Sequence, residues 1–319
     1  MVDVLGIFLG AVGPIVAIAG VGYVLGTFKD VDPGPLNTAV VYVLAPALVF
    51  HSLAVTELAA STLQWLTVGI VAFTVAMWAV GEFAGRLLGE REPILSALVL
   101  TVMFTNAGNL GIPVSDFAFG GVGRQTAVVF LSVQSVLMYT LGVYVASRSG
   151  GSPGLAGVKR VFRLPLVYAV VAALGARALD LVPPTSNAGM EAIQLTGDAS
   201  IPIMLLILGV QLARTDAGTA VSRTWSATVL RLGVAPVVGL AVALVLPFGD
   251  ATVARVFVLE AAMPAAVTPV ILVGEFAAGV RSDGVSVPEY VSTCVLVTTL
   301  LGVPVLTALI AVLQSGVVL

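Results

Sequence analysis

The sequence predicts an all-α integral membrane protein of ten transmembrane helices, arranged as two five-helix halves of opposite orientation. The first observation is composition: the chain is 59% hydrophobic and 10% charged, with a mean hydropathy of +1.10, whereas soluble domains carry about 25% charged residues. The second is a series of ten apolar runs separated by short polar or Gly/Pro-rich connections. The third is that the fourth run of each half is interrupted by prolines and polar residues.

The predicted spans are apolar runs long enough to cross a bilayer, which takes about 20 residues. They cover residues 4–26, 36–54, 63–88, 93–120, 124–147, 161–180, 189–212, 224–247, 251–279 and 287–313. The first run lacks a basic leading segment, so we expect a true span rather than a cleaved signal. The longest connection, 148–160, separates a first repeat at 1–147 from a second repeat at 161–319.

Lysine and arginine are unevenly distributed between the two ends of these spans. The membrane side that holds the connections after odd-numbered spans is called the basic face, and it carries Lys29, Arg86, Arg91, Arg148, Lys159, Arg160, Arg163, Arg214, Arg223 and Arg281. The connections after even-numbered spans carry only Arg124, Arg177 and Arg255. Because positive residues favour the cytoplasmic side, we expect the basic face and the 148–160 linker in the cytoplasm. Both termini are then outside the cell, and the expected location is the plasma membrane.

The fourth span contains a sequence that cannot form an ordinary lipid-facing helix, Phe104–Pro113 (Phe-Thr-Asn-Ala-Gly-Asn-Leu-Gly-Ile-Pro). Pro113 removes a backbone donor, and Gly108 and Gly111 weaken the helix. Each unsatisfied backbone group in hydrocarbon costs several kcal/mol, so a broken helix is tolerated only inside protein or beside a wet cavity. Broken helices of this kind build the substrate sites of secondary transporters.

The second half repeats several features of the first. The ninth span is interrupted at Glu260–Pro269, the counterpart of the break in span four. The following segments are similar, Asp116–Arg124 and Glu275–Arg281, and so are the second spans of the two halves, at Leu44–Leu48 and Ser200–Met204. An odd number of spans in each half places the halves in opposite orientation. Inverted repeats with matching broken helices indicate a transporter site.

Several stretches resemble the auxin efflux carrier family, which includes plant PIN-type carriers and microbial relatives and is similar to bile acid/sodium symporters. They are Leu36–Phe50, Thr105–Pro113 with its Asn-x-Gly-Asn-x-Gly-x-Pro pattern, Pro202–Leu212 and Ala262–Pro264. The resemblance implies that broken helices 4 and 9 cross, with a scaffold bundle of helices 1, 2, 6 and 7 and a transport bundle of helices 3–5 and 8–10. It also implies a homodimer and transport of organic anions, including auxin and dicarboxylates.

Candidate substrate-binding residues surround the two breaks. Asn106 and Asn109 offer amide donors, and the half-helices that follow the breaks present free N–H groups and positive dipole ends. Donors without a fixed positive charge suit a monocarboxylate. The alternative is that the asparagines only satisfy the broken backbone. The predicted substrate-binding set is Asn106, Gly108, Asn109, Gly111, Pro113, Pro264 and Ala265.

Acidic and amide residues near the breaks are candidates for coupling to a proton or sodium ion. Glu260 is the first, because an acidic residue at membrane depth is a functional candidate by default; the alternative is a buried protonated carboxyl bonded to the opposite break. Asp198 lines a vestibule between bundles or caps a helix, and Asp116 caps the second half-helix or joins an ion site. Gln134 is a further ion-site candidate. The spacing leaves open whether Arg231 and Glu82 are buried partners or reach an interface.

The expected function is a secondary transporter of small organic anions that works by elevator-type alternating access. The alternatives are a cation/proton antiporter or a sodium-coupled symporter on the same fold, and a non-transporting membrane sensor. With one histidine, one cysteine and no His-Glu-x-x-His or Gly-x-Gly-Asp pattern, we do not expect an enzyme. The sequence contains no Gly-x-x-x-x-Gly-Lys nucleotide-binding loop, so we do not expect this chain to use ATP to drive transport. The expected partners are the anion and membrane lipid, with no nucleic acid and no cofactor besides a coupling ion.

Overall fold

Apolar helices make up most of the computed structural model, which describes residues 13–29, 31–56, 58–149, 165–214, 218–277, 279–282 and 284–319. The start of the first predicted span and most of the 148–160 linker lie outside these residues. The first half forms helices α1 (Gly13–Phe28), α2 (Pro33–Ala54), α3 (Ala60–Leu87), α4 (Ile94–Met103) and α5 (Ala107–Ser149).

The second half has the same character. It forms α6 (Pro165–Ala178), α7 (Ala188–Arg214), α8 (Trp225–Val245), α9 (Ala251–Ala261), α10 (Thr268–Phe276) and α11 (Val287–Gln314), with a short 3-10 turn at Gly218–Arg223. An antiparallel hairpin of β1 (Arg281–Ser282) and β2 (Val285–Ser286) precedes α11. Ser286 then starts α11 with a capping box that also uses Glu289.

Six of these helices are long and apolar enough to cross a membrane, namely α2, α3, α5, α7, α8 and α11. This confirms the prediction of an all-helical, multi-pass membrane protein. The segments that remain short are α1, α4, α6, α9 and α10, and three of them (α4, α9 and α10) adjoin the two predicted breaks. The arrangement of ten helices as two inverted repeats stays a prediction.

The long helix α5 contains a sharp change of direction at Gly120. This residue has φ 63° and ψ −149°, a conformation that glycine adopts without a side-chain clash. The helix before Gly120 belongs to the predicted fourth span, and the helix after it belongs to the fifth. The predicted connection between these spans is therefore one glycine-centred turn.

Helix contacts fall into two groups. Helix α1 packs along α7, and α2 packs on α6 and α7. In the other group, α3 contacts α4, α5 and α8, while α9 contacts α5 and α8, and α11 contacts α4 and α10. The groups meet where α5 touches α2, α6 and α7. Buried aromatic rings of the second group interlock, with the ring centroids of Phe130 and Phe257 5.8 Å apart.

Candidate functional site

The two interrupted segments predicted from the sequence meet in the interior and pair through their backbones. Thr105 and Ala265 form an isolated antiparallel bridge. The Asn106 N–H donates to the Pro264 carbonyl at 2.8 Å, and the Ala266 N–H donates to the Phe104 carbonyl at 3.0 Å. Each break therefore satisfies backbone groups that the other lost, which is the condition for broken helices inside a bilayer.

Two side chains from neighbouring helices complete this pairing. Gln134 receives bonds from the Thr105 N–H and hydroxyl, both at 3.0 Å, and donates to the Thr105 carbonyl at 2.8 Å. The Ala265 N–H donates to the Thr298 hydroxyl at 3.1 Å. Gln134, a predicted ion-site candidate, thus uses both ends of its amide to hold the first break. Sequence reasoning did not identify Thr105 or Thr298.

Arg231 is fully buried against the carbonyl ends of both broken helices. Its Nη1 donates to the Val102 carbonyl near the end of α4 at 2.6 Å. Its Nε donates to the Met263 carbonyl just after α9 at 2.9 Å, and its Nη2 donates to the Ala261 carbonyl. A cation at a helix C-terminus neutralises the negative end of the helix dipole, and here one guanidinium serves two helices. Arg231 is thus a buried residue, as one of the two alternatives had it, but its partners are backbone carbonyls and not Glu82.

A cavity of about 320 Å³ lies on one side of the paired breaks. Its polar lining includes Asn37 and Thr38 of α2, Asn106 at the break, Asn109 of α5 and Gln211 of α7. The apolar lining includes Val40, Val41, Ala45, Leu131, Met138, Pro165, Leu166, Met204, Ala266, Val267 and Ile271. Among the described lining residues, none carries a formal charge.

The two predicted asparagines behave differently in this cavity. Asn106 is 5% exposed, and its Nδ2 has no hydrogen-bond partner in the described part of the protein. Its carbonyl accepts bonds from the Leu110 and Gly111 N–H groups, so its backbone is already satisfied. Asn109 is more exposed and lines the cavity with Gly108. A buried amide donor without a partner is costly unless a ligand or water completes it.

Within the described ranges, single π-helical turns occur at four places, and each adjoins the cavity or the breaks. They are Val40–Leu44, Ala107–Gly111, Met138–Gly142 and Leu230–Val234. The first three contribute cavity-lining residues, and the fourth carries Arg231. Such turns are rare and occur frequently at functional sites. No sequence pattern had indicated them.

Glu260 contacts the Ala107–Gly111 turn at Gly111 and is not among the residues that line the cavity. It is fully buried, and its Oε1 accepts a bond from the Ser115 hydroxyl at 2.7 Å. Its Oε2 has no partner in the described part of the protein. Gly111 packs so closely that an added Cβ would overlap this carboxylate. One helical turn thus contacts the cavity through Gly108 and Asn109 and the acid through Gly111.

The remaining candidates occupy other places. Pro113 is buried in the first turn of the helical part that starts at Ile112, and Pro264 packs on Gly302 of α11. Asp116 and Asp198 both pair with Arg124, away from the breaks. Glu82 binds Arg86 and Arg148 at the basic face. Among the described residues, no three His, Cys, Asp or Glu side chains form a group that could hold a metal ion.

Comparison with known proteins finds relatives along nearly the whole chain. A family model described as membrane transport protein matches residues 7–153 and 156–310. An uncharacterized transporter of Methanothermobacter thermautotrophicus is 27% identical over 308 residues, which is 92% of this chain and 96% of the relative. A Rhizobium meliloti protein named "Putative malonate transporter" is 25% identical over 322 residues, 96% of each chain. An uncharacterized transporter of Methanocaldococcus jannaschii is 25% identical over 206 residues, 60% of this chain and 65% of the relative.

The match extends across both halves and includes the two breaks that pair in the structure. It confirms the resemblance to auxin efflux carriers that the Asn-x-Gly-Asn-x-Gly-x-Pro segment had indicated. The chain therefore belongs to the membrane transport protein family that includes the auxin efflux carriers, and it is a multi-pass membrane transporter.

Proposed function

We propose that this transporter is a secondary carrier of small carboxylates, which bind in the cavity beside the paired breaks. The observation that carries the proposal is the Asn106 side chain, which borders the cavity and whose buried amide donor has no hydrogen-bond partner among the described residues. A carboxylate oxygen is a strong acceptor for such a donor. Asn109 supplies a second amide from the next helical turn.

The electrostatics of the broken helices favour an anion in this cavity. Helices α5 and α10 start next to it, with Gly108, Asn109, Val267 and Thr268 in its lining. Their N-terminal ends carry partial positive charge and free N–H groups. The negative C-terminal ends of α4 and α9 are neutralised by Arg231. The field at the cavity is therefore dominated by the two positive ends, without a charged side chain that would hold the substrate too tightly to release it.

The helix contacts support an elevator-type movement between two bundles. The cavity lies between α2, α6 and α7 on one side and α5, α10 and the breaks on the other. We propose that α1, α2, α6 and α7 form a scaffold, and that the remaining helices carry the substrate past it. Asn37, Leu166 and Gln211 lie at the ends of α2, α6 and α7 nearest the basic face. The cavity accordingly opens towards the proposed cytoplasmic side.

Coupling to a proton or sodium ion is proposed to use Glu260. The charge of this buried acid would be costly without a cation, and Ser115 is its nearest hydroxyl. Because the Ala107–Gly111 turn touches both the acid and the cavity, cation binding and substrate binding share one structural element. This observation favours a sodium- or proton-coupled carrier over a uniporter, and it also keeps cation/proton antiport as the second candidate function.

The test is a binding titration of the purified protein with acetate, malonate and an aromatic monocarboxylate, with and without sodium. Malonate is included because of the name of the Rhizobium relative. Loss of one hydrogen bond to a charged group costs about 1.5–3 kcal/mol, so Asn106→Ala and Asn109→Ala should each weaken binding about 10- to 150-fold. Asn187→Ala, which removes an amide from the α7 N-cap outside the cavity, is the matched control.

Two results would contradict the proposal. The first is that none of the carboxylates binds to the native protein under any of these conditions. The second is that both asparagine variants bind with native affinity, which would leave Asn106 and Asn109 as structural residues of the broken backbone.

A further inference from the structure

An arginine bound to two aspartates lies away from the cavity, at the turn between the two parts of α5. The Arg124 guanidinium donates from Nη2 to Asp116 Oδ2 at 2.8 Å and from Nε to Asp116 Oδ1 at 3.1 Å. Its Nη1 donates to Asp198 Oδ1. These three side chains are outside the cavity lining. The proposed transport function leaves them without a role.

The two ion pairs of Arg124 differ in what they connect. Asp116 and Arg124 both belong to α5, on either side of the turn at Gly120, so this pair lies within one helical hairpin. Asp198 belongs to α7, which packs on α1 and α2. The Arg124–Asp198 pair therefore joins the two groups of helices. A second hydrogen bond also joins the two groups of helices: the hydroxyl of Thr56, which follows α2, donates to Gln125 Oε1 on α5 at 2.9 Å.

We infer that the Arg124–Asp198 ion pair is a latch that closes the protein on the side opposite the cavity and favours the conformation open to the basic face. The inference rests on the proposed movement of the two helix groups. A displacement of α5 relative to α7 separates the two side chains, whereas the Arg124–Asp116 pair travels intact. Releasing the latch thus leaves Arg124 with one carboxylate and exposes the Asp198 charge.

The positions that correspond to Asp198 and Arg124 in the other repeat do not form an equivalent ion pair in the described structure. The correspondence between the second spans places Tyr42 at the position of Asp198, and the correspondence between the segments after the two breaks places Arg281 at that of Arg124. The Arg281 guanidinium binds the Gly284 carbonyl of its own hairpin. A tyrosine cannot form the equivalent ion pair, so these two positions do not stabilise the opposite conformation in the same way. The asymmetry biases the resting protein towards the conformation seen here.

The experiment measures the distance between the helix groups by electron spin resonance in lipid nanodiscs, without any substrate. Spin labels are attached at Gly121→Cys on α5 and Glu191→Cys on α7, in a Cys294→Ala background. Both sites are exposed, and a side chain at Gly121 meets no neighbouring atom within 4 Å. The native protein should show one main distance. Asp198→Asn should increase the second population about two- to fivefold, the effect of a partly exposed ion pair.

Asp116→Asn is the matched control, since it removes a carboxylate from the same arginine within a single helical hairpin. It should leave the populations unchanged or move them towards the latched state. A native distance distribution in Asp198→Asn would overturn the latch, and so would equal shifts in both variants. Because no substrate is present, these outcomes are independent of carboxylate binding: absence of binding contradicts the proposed substrate, and absence of a distance change contradicts the latch alone.

Discussion

Replacement of Arg231 by methionine should destabilise the protein more than most single substitutions. The side chain is fully buried and donates to the carbonyls of Val102, Ala261 and Met263, which belong to two separate helix ends. Methionine fills similar space but donates nothing, so three buried carbonyls lose their partner. At about 1–3 kcal/mol for each, the gross loss is about 3–9 kcal/mol.

Part of this loss is offset because the guanidinium no longer has to be buried. Removing one partner of a buried charged network costs about 3–5 kcal/mol in measured cases, and we expect a net value in this range. The guanidinium also lies 5.7 Å from the centroid of the Phe73 ring, a contact that methionine replaces only in part. For a chain of this length each kcal/mol corresponds to about 2 °C, so the melting temperature should fall by about 6–10 °C.

The measurement is thermal unfolding of the purified protein in one detergent, followed by intrinsic fluorescence. Arg231→Lys keeps the charge with shorter reach and should fall between the native protein and the methionine variant. Arg255→Met is the matched control, because this arginine is partly exposed and its hydrogen-bond acceptor among the described residues is the main-chain oxygen of Leu319. A melting temperature of Arg231→Met within about 2 °C of the native value would refute the reasoning that this residue stabilises the paired breaks.

Three further predictions concern the site and the orientation of the chain. Gly111→Ala should reduce substrate binding strongly, because the new methyl group overlaps the Glu260 carboxylate. In the control variant Gly108→Ala the new methyl group meets the Leu131 side chain at 3.5 Å, so this variant should bind substrate with nearly native affinity. Equal substrate affinities of the two variants would contradict this prediction. Glu260→Gln should flatten the pH dependence of uptake or remove sodium-induced stabilisation while substrate exchange continues, and native responses to both would place the coupling elsewhere. A cysteine introduced into the 148–160 linker should not be labelled by a membrane-impermeant thiol reagent added to intact cells, because the linker is expected in the cytoplasm. Thr185→Cys, in a connection expected outside the cell, should be labelled. The reverse pattern would contradict the predicted orientation.

The features that the sequence predicted are those that local chemistry enforces. Where proline occurs together with glycines or polar residues inside an apolar run, a break in the helix is expected, and both interruptions were predicted from such clusters around Pro113 and Pro264. Proline alone does not break a helix here, because Pro304 lies inside α11. Pairing of the breaks followed only from family resemblance, because no local pattern encodes a contact between Thr105 and Ala265. Glu260 was identified as a functional candidate because an acidic side chain inside the membrane is costly and is usually retained for a function.

Residues whose roles depend on distant partners were not predictable. Gln134 was considered for an ion site, yet its partner Thr105 lies 29 residues away in the chain. Arg231 reaches carbonyls 129 and 30 residues away, and carbonyls leave no signature in a sequence. A rule that a lone mid-span arginine must find acceptors in protein would have placed it near a helix break. Asp198 was assigned to a vestibule or a cap, and its ion pair with Arg124 spans 74 residues.

The reciprocal pairing of the two breaks has a consequence for biosynthesis. The backbone of Phe104–Asn106 enters the membrane roughly 160 residues before its partners at Pro264–Ala266 are synthesised. At about 5–20 residues per second, that delay is about 8–30 s. During this interval Gln134, which arrives with the first half, can already bond all the polar groups of Thr105. We therefore expect Gln134 to satisfy the polar groups of Thr105 inside the bilayer until the second half of the chain is inserted and pairs with the first break.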